Sequence, residues 1–226
     1  MYSERPSRLP DTTVWQRTHS PGGEVRVLPD GCLDLLWHDG ELLVAGPDSR
    51  AQLSRDRPGA NWAGLRFARG TGPAVLGVPA APLRDLRVPL AALWPGHEVR
   101  ELAERVAGAP CPAAALEAAA ARRLRASGPP EPWCRVAADM LDRGARVAEL
   151  AHATGWSERH LRRRFLASFG YGPKTLARVL RLQRALELVR AGTPPAAAAA
   201  RSGYADQAHM SREVRSLTGM PLTRLR

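Results

Sequence analysis

The chain has 226 residues, enough for two modest domains of about 100 residues each. It contains no apolar run of about 18 residues, and its opening MYSERPSRLP has no hydrophobic signal core, so a soluble cytoplasmic protein off the membrane is expected. The net charge of +11 comes from 33 Lys and Arg against 22 Asp and Glu, and points to a polyanionic partner. Only one of the 33 is lysine, which reads as a GC-rich genome and makes part of the arginine usage compositional. Cys32, Cys111 and Cys134 lie far apart without C-x-x-C spacing, which argues against disulfides and zinc ligands. His19, His38 and His97 are too scattered for a metal site, and nothing calls for a cofactor.

Residues 11–94 read as a small β-rich unit. Val25–Leu28, Cys32–Trp37, Leu42–Ala45 and Trp62–Phe67 are short Val-, Leu- and Trp-bearing segments separated by turn residues. Pro29-Asp30-Gly31 and Gly46-Pro47-Asp48 read as chain reversals. Helices are expected over Pro73–Gly77, Glu98–Ala107 and Ala113–Ala126, and Ser127-Gly128-Pro129-Pro130 marks a boundary. The expected organisation is therefore a β-rich sensing or assembly domain over residues 1–130 and a second domain over 131–226. Within the first, Asp30, Cys32, Asp34 and Trp37 are close in sequence. A hairpin turn with a buried thiol and a core tryptophan accounts for them, and a ligand pocket lined by Trp37, Trp62 and Arg66 is the functional alternative.

The second domain carries one pattern twice, over Glu149–Phe165 and Ala197–Val214. Each copy has a small residue (Ala151, Ala199) four positions before a glycine (Gly155, Gly203), then an aromatic residue (Trp156, Tyr204). A His-plus-apolar pair follows (His160-Leu161, His209-Met210), with an arginine two positions on (Arg163, Arg212). Helix, glycine turn and second helix make a helix-turn-helix. At about 100° per residue, Leu161, Phe165 and Phe169 form an apolar stripe in the first copy, with Arg159 and Arg163 pointing away from it and Arg162 and Arg164 flanking it. In the second copy Met210, Val214 and Leu217 form the stripe, opposite Ala208, Arg212 and Arg215. The run from Lys174 to Ala191 reads as a linker helix, about 27 Å long. Residues 132–226 hold 17 Lys and Arg against 7 Asp and Glu, so +10 of the +11 sits there. Two docking points on a basic spacer fit double-stranded DNA.

These residues resemble the DNA-binding domain of the AraC/XylS family of bacterial transcription regulators, above all in GYADQAHMSREV and the closing MPLTRLR. LPDGCLDLLW, VAGPDSRAQ and GVPAAPLRDLRVPL look like the N-terminal domain of some actinobacterial AraC-type regulators. The resemblance implies an α+β chain: a β-rich N-terminal domain with trailing helices, then an all-α domain with two helix-turn-helix motifs whose second helices enter successive major grooves. Carried over by motif, the base-reading positions are Arg159, Arg162 and Arg163 in the first copy and Ala208, His209 and Arg212 in the second. Ser157, Lys174, Ser211 and Arg215 complete the expected DNA-binding set, with Arg178 a further phosphate contact.

Three features depart from the family pattern. Ala205 replaces a capping Ser or Asp, so Asp206 must cap from one residue later. Pro194 and Pro195 open the scaffold helix of the second copy, and Ala196–Ala200 give it no large core side chains. The first copy is therefore expected to supply most sequence specificity. A small-molecule effector and RNA polymerase are further candidate partners, and the oligomeric state stays open between monomer and homodimer. An enzyme is not expected. The rival from that class is an alkyl-accepting repair protein using Cys32, although such proteins rely on a cysteine-rich zinc cluster that this sequence lacks.

Overall fold

A computed structural model describes residues 1–225, and Arg226, the end of the MPLTRLR stretch, lies outside the described residues. The fold is α+β. Six antiparallel strands form one sheet in the order β1-β2-β7-β4-β5-β8: β1 (Tyr2–Pro6), β2 (Thr12–Arg17), β4 (Leu33–His38), β5 (Glu41–Ala45), β7 (Trp62–Phe67) and β8 (Arg87–Pro89). β3 (Gly23–Val27) and β6 (Gln52–Asp56) pair as a separate antiparallel ribbon. Strand alternation sends Leu33, Leu35, Leu65 and Phe67 to one face, where Leu33 sits opposite Phe67 and Leu35 opposite Leu65. The helices α1 (Gly72–Leu76), α2 (Gly96–Ala107) and α3 (Pro112–Ser127) contribute to the same core through Leu76, Leu102, Val106 and Leu116.

The sequence-predicted strands all occur, that over Trp62–Phe67 with the same bounds. β1, β2, β6 and β8 were not anticipated. β1 is exposed along its whole length, and β6 is short and mostly polar, so neither carries an apolar alternation to read. The hairpin reading of Pro29-Asp30-Gly31 is corrected by the pairing: β3 joins β6, while β4 lies between β5 and β7. The segment is a crossing between ribbon and sheet, held by Asp30 Oδ1 accepting from Cys32 N at 2.9 Å and Asp30 O accepting from Arg69 Nε at 2.9 Å.

The C-terminal part consists of α4 (Pro132–Asp142), α5 (Val147–Thr154), α6 (Glu158–Phe169), α7 (Pro173–Arg190), α8 (Pro195–Ser202) and α9 (Gln207–Thr218). α7 runs through two apolar clusters. Leu176 and Leu180 join Leu141, Leu150, Leu161, Phe165 and Phe169 in the first, and Leu182, Leu186 and Val189 join Met210, Val214 and Leu217 in the second. The N-terminal part docks on the same body. Ala80 N donates to Ala167 O and Ala51 N to Leu217 O, both at 2.7 Å. Arg26 Nη1 donates to Thr218 O at 3.0 Å, Gln183 Nε2 donates to Pro29 O at 2.5 Å, and Leu28 packs against the second cluster.

Because α7 is common to both clusters, they should unfold together. Leu180→Ala and Leu186→Ala, each at a fully buried position, should each cost about 2–5 kcal/mol in one cooperative urea transition. An early, separate transition in Leu186→Ala alone would show that the second motif is energetically independent.

Candidate nucleic-acid interface

In both motifs the first helix ends in the same way. Gly155 and Gly203 adopt left-handed φ of 66° and 81°, which a side chain would disfavour. Trp156 N then donates to Ala151 O at 3.2 Å and Tyr204 N to Ala199 O at 2.9 Å, closing the six-residue C-terminal cap. The small residue four before the glycine is thus the acceptor of the turn bond. Each second helix is N-capped by a side chain: Ser157 Oγ accepts from His160 N at 3.3 Å, and Asp206 Oδ1 from His209 N at 2.6 Å. Between glycine and cap the first motif has one residue, Trp156, and the second has two, Tyr204 and Ala205. The extra residue is why Asp206 caps in place of the residue aligned with Ser157. α6 and α9 both run 12 residues.

The faces follow the wheel. Arg159, Arg162 and Arg163 are exposed on α6 and, with Glu158 and Leu166, line one shallow hollow of about 410 Å³. Ala208, Arg212 and Arg215 are exposed on α9, Ser211 is half-buried beside them, and Ser157 and Lys174 are exposed at the starts of α6 and α7. Among the described residues none of these arginines, nor Lys174, forms an ion pair with a carboxylate. His209 is engaged inside its motif: Nδ1 accepts from Ala205 N at 3.4 Å, Nε2 lies 3.5 Å from the Glu213 carboxylate, and the ring meets Tyr204 edge-on at 5.4 Å.

Other arginines do structural work that helical spacing alone did not identify. Arg164 stacks over Trp133 and Trp156, at 5.3 and 5.2 Å, and pairs with Glu131. Arg181 lies over Tyr204 at 4.5 Å and donates to both Glu213 oxygens at 2.8 Å. Arg178, expected at phosphate, is 3.5 Å from the same Glu213. Glu213 is the one acid of α9, and its place at the edge of the apolar stripe rather than on the basic face is the signal that it meets the linker.

A pocket lined by Trp37, Trp62 and Arg66, the alternative to a core tryptophan, is not assembled. In the β4–β7 register Trp37 is opposite Ala63, while His38 is opposite Trp62 and Asp34 opposite Arg66. Alternation therefore puts Trp37 on one side of the sheet and Trp62 and Arg66 on the other. Trp37 packs on the main core. Trp62 stacks on His38 at 3.8 Å and donates to Asp56 Oδ1 at 3.1 Å, and Arg66 Nε is 3.5 Å from both Asp30 and Asp34 carboxylates. Burial pushes Asp34 up to about 6 against the opposing pull of Arg66. Burial, followed by the charge of Asp30, pushes the Cys32 thiol well above its ordinary value, which disfavours the thiolate an alkyl-accepting reaction needs. All three cysteines are free thiols. Among the described residues no cluster of His, Cys, Asp and Glu could hold a metal, and no helix is long and apolar enough to cross a membrane.

Residues 136–226 match the family model described as a helix-turn-helix domain. The C-terminal part of the chain is an AraC-type helix-turn-helix domain. Residues 12–89, ahead of the AraC-type domain, match a domain of unknown function (DUF6597). An uncharacterized HTH-type transcriptional regulator, YbfI of Bacillus subtilis, is 31% identical over 77 residues, which cover 34% of this chain and 28% of that relative. A probable AraC family transcriptional regulator from Rhodopseudomonas palustris is 27% identical, covering 42% of this chain and 94% of that one, with a TM-score of 0.37. ToxT from Vibrio cholerae, in a structure bound to (E)-4-(8-methylnaphthalen-1-yl)but-3-enoic acid, covers 100% of this chain and 99% of its own at 12% identity and a TM-score of 0.50. That likeness concerns the fold alone.

The capping geometry sets a test within the AraC-type domain. Asp206→Ala should lower stability by about 1 kcal/mol in thermal or urea denaturation, whereas Ala205→Ser should leave it within about 0.5 kcal/mol. A gain of about 1 kcal/mol from Ala205→Ser would place the cap at the wrong residue.

Proposed function

We propose that the chain is a sequence-specific, DNA-binding transcription regulator in which α6 and α9 enter successive major grooves on one face of the duplex. The observation that carries this reading is that the outer faces of α6 and α9 carry exposed arginines with no carboxylate partner among the described residues. Arg164, Arg178, Arg181 and Arg184 face acids of the domain itself, while Arg159, Arg162, Arg163, Arg212 and Arg215 are left to a partner. A planar guanidinium suits that partner because it pairs bidentately with guanine O6 and N7 or clamps a phosphate. α7, at 18 residues, gives a rod of about 27 Å, compatible with grooves about 34 Å apart once the motif at each end is added.

Arg159, Arg162 and Arg163 are the principal base readers. Ala208 offers only a methyl contact, and His209 is held by its turn, so Arg212 is the main reader of the second motif. Ser157, Lys174, Ser211 and Arg215 serve phosphates. Residues 1–130 act on this unit through their contacts with the ends of α6 and α9, as a sensing or assembly domain in a cytoplasmic regulator. The acid bound by ToxT makes a small-molecule effector a reasonable input. RNA polymerase is the natural downstream partner.

In vitro selection of bound DNA from a random pool should return one consensus site. On that site Arg163→Ala should cost about 1–3 kcal/mol in binding and much less on random DNA, while Lys174→Ala should weaken both equally. Equal losses for Arg163→Ala on the two DNAs would remove its base-reading role. For about 6 phosphates neutralised, the logarithm of affinity should fall against that of salt with a slope of about −5. A slope near zero would remove DNA as the partner.

A further inference from the structure

A second concave site lies away from the recognition helices. A cleft of about 600 Å³ opens between the Arg5–Pro10 stretch, one side of α3 and the Pro129-Pro130 connection to α4. Its floor is apolar, with Leu9, Ala118, Ala121 and Leu124, and three arginines, Arg5, Arg8 and Arg125, stand around it. Glu117 is the single acid of the lining, and its carboxylate is fully engaged. It accepts from Arg5 Nη2 at 3.1 Å, Ser7 Oγ at 2.5 Å and Arg8 N at 2.6 Å, and it is only 6% exposed. Despite burial, the hydrogen bonds from Arg5, Ser7 and Arg8 hold it below the usual carboxylate range. With Arg5 offsetting Glu117, the exposed Arg8 and Arg125 form no ion pair among the described residues. The cleft therefore combines a greasy floor, two uncompensated guanidinium groups and a volume within the ordinary range of small-molecule sites.

We propose that this cleft binds a small amphipathic anion, its apolar body on the α3 floor and its carboxylate, sulfonate or phosphate head on Arg8 and Arg125. Duplex DNA does not fit a concave Ala- and Leu-lined floor, and a neutral apolar molecule would leave both guanidinium groups unused. One wall is the covalent connection to the AraC-type domain, so occupancy bears directly on the link between the two parts.

The test is fluorescence titration of the full chain with 8-anilinonaphthalene-1-sulfonate, with the neutral N-phenyl-1-naphthylamine in parallel. Saturable one-site binding of the sulfonate is expected. Arg8→Glu combined with Arg125→Glu should weaken it by about tenfold or more while changing the neutral compound little. Ala118→Trp, which fills the floor from an exposed position, should weaken both probes, and Arg122→Glu, outside the cleft on the same helix, should weaken neither. Circular dichroism checks the fold of each variant, and Ala118→Trp decides the matter should the double charge reversal unfold. Absence of saturable sulfonate binding, or unchanged sulfonate affinity in either the charge-reversed or the Ala118→Trp protein, overturns the proposal. No DNA enters the measurement, so its failure leaves the DNA-binding reading standing.

Discussion

A helix of 18 residues at the surface of a small protein ordinarily has one apolar stripe, but α7 buries Leu176, Val179, Leu180, Leu182, Ala185, Leu186 and Val189 around much of its circumference. Three bodies claim it: the first motif near its start, the second motif near its end, and the crossing loop of the β-rich part, through Pro29 and Gln183, on a further side. The separation and mutual rotation of α6 and α9 follow from the rigidity of this one element. A linker packed on all these sides cannot bend without opening a core, so the outer faces of α6 and α9 keep a fixed separation and rotation.

Arginine serves two opposite purposes within a few residues. Arg164 and Arg163 are neighbours in sequence, yet one lies over two tryptophans and is tied to Glu131 while the other is exposed. The helical turn makes the difference, since a step of about 100° carries the side chain from the flank of the apolar stripe to the outer face. The same logic ties Arg181 and Arg178 to Glu213, leaving Arg212 beside them free. Positive charge is thus used partly to brace the motifs and partly to face outward.

The motifs were legible because their determinants are local. The glycine turns, the capping residues and the apolar stripe of Leu161, Phe165 and Phe169 are set within a dozen residues, and the cap at Asp206 could be read from the missing side chain at Ala205. The β-rich part was legible only where a strand is half-buried: Trp62–Phe67 announces itself, while β1, with every residue exposed, does not. Pairing was beyond reach, because which strands meet is decided by contacts distant in sequence. For that reason Trp37 and Trp62, grouped only in the alternative pocket reading, fall on opposite faces. Arg164 was placed at the flank of the stripe, but its partner Trp133 belongs to α4, for which no element had been read. The docking of the β-rich part on the AraC-type domain could not be read from the sequence, since its contacts, backbone bonds at Ala51, Ala80, Ala167 and Leu217 together with the Arg26, Gln183 and Leu28 side chains, join residues far apart in the chain.

That last feature bears on how such chains can be recombined. The carbonyl ends of α6 and α9 are met by donors from the β-rich part: Ala80 N on Ala167, Ala51 N on Leu217, and the Arg26 guanidinium on Thr218. The first two are backbone donors, set by the path of a loop rather than by the identity of its side chains, so sequence can drift around them while that part of the fit is kept. A chimera that joins this AraC-type domain to a foreign N-terminal part would preserve every side chain on the exposed faces of α6 and α9 and still leave those helix ends uncovered. Successful exchange between relatives should therefore track the geometry of two loops, around residues 51 and 80, rather than overall sequence similarity.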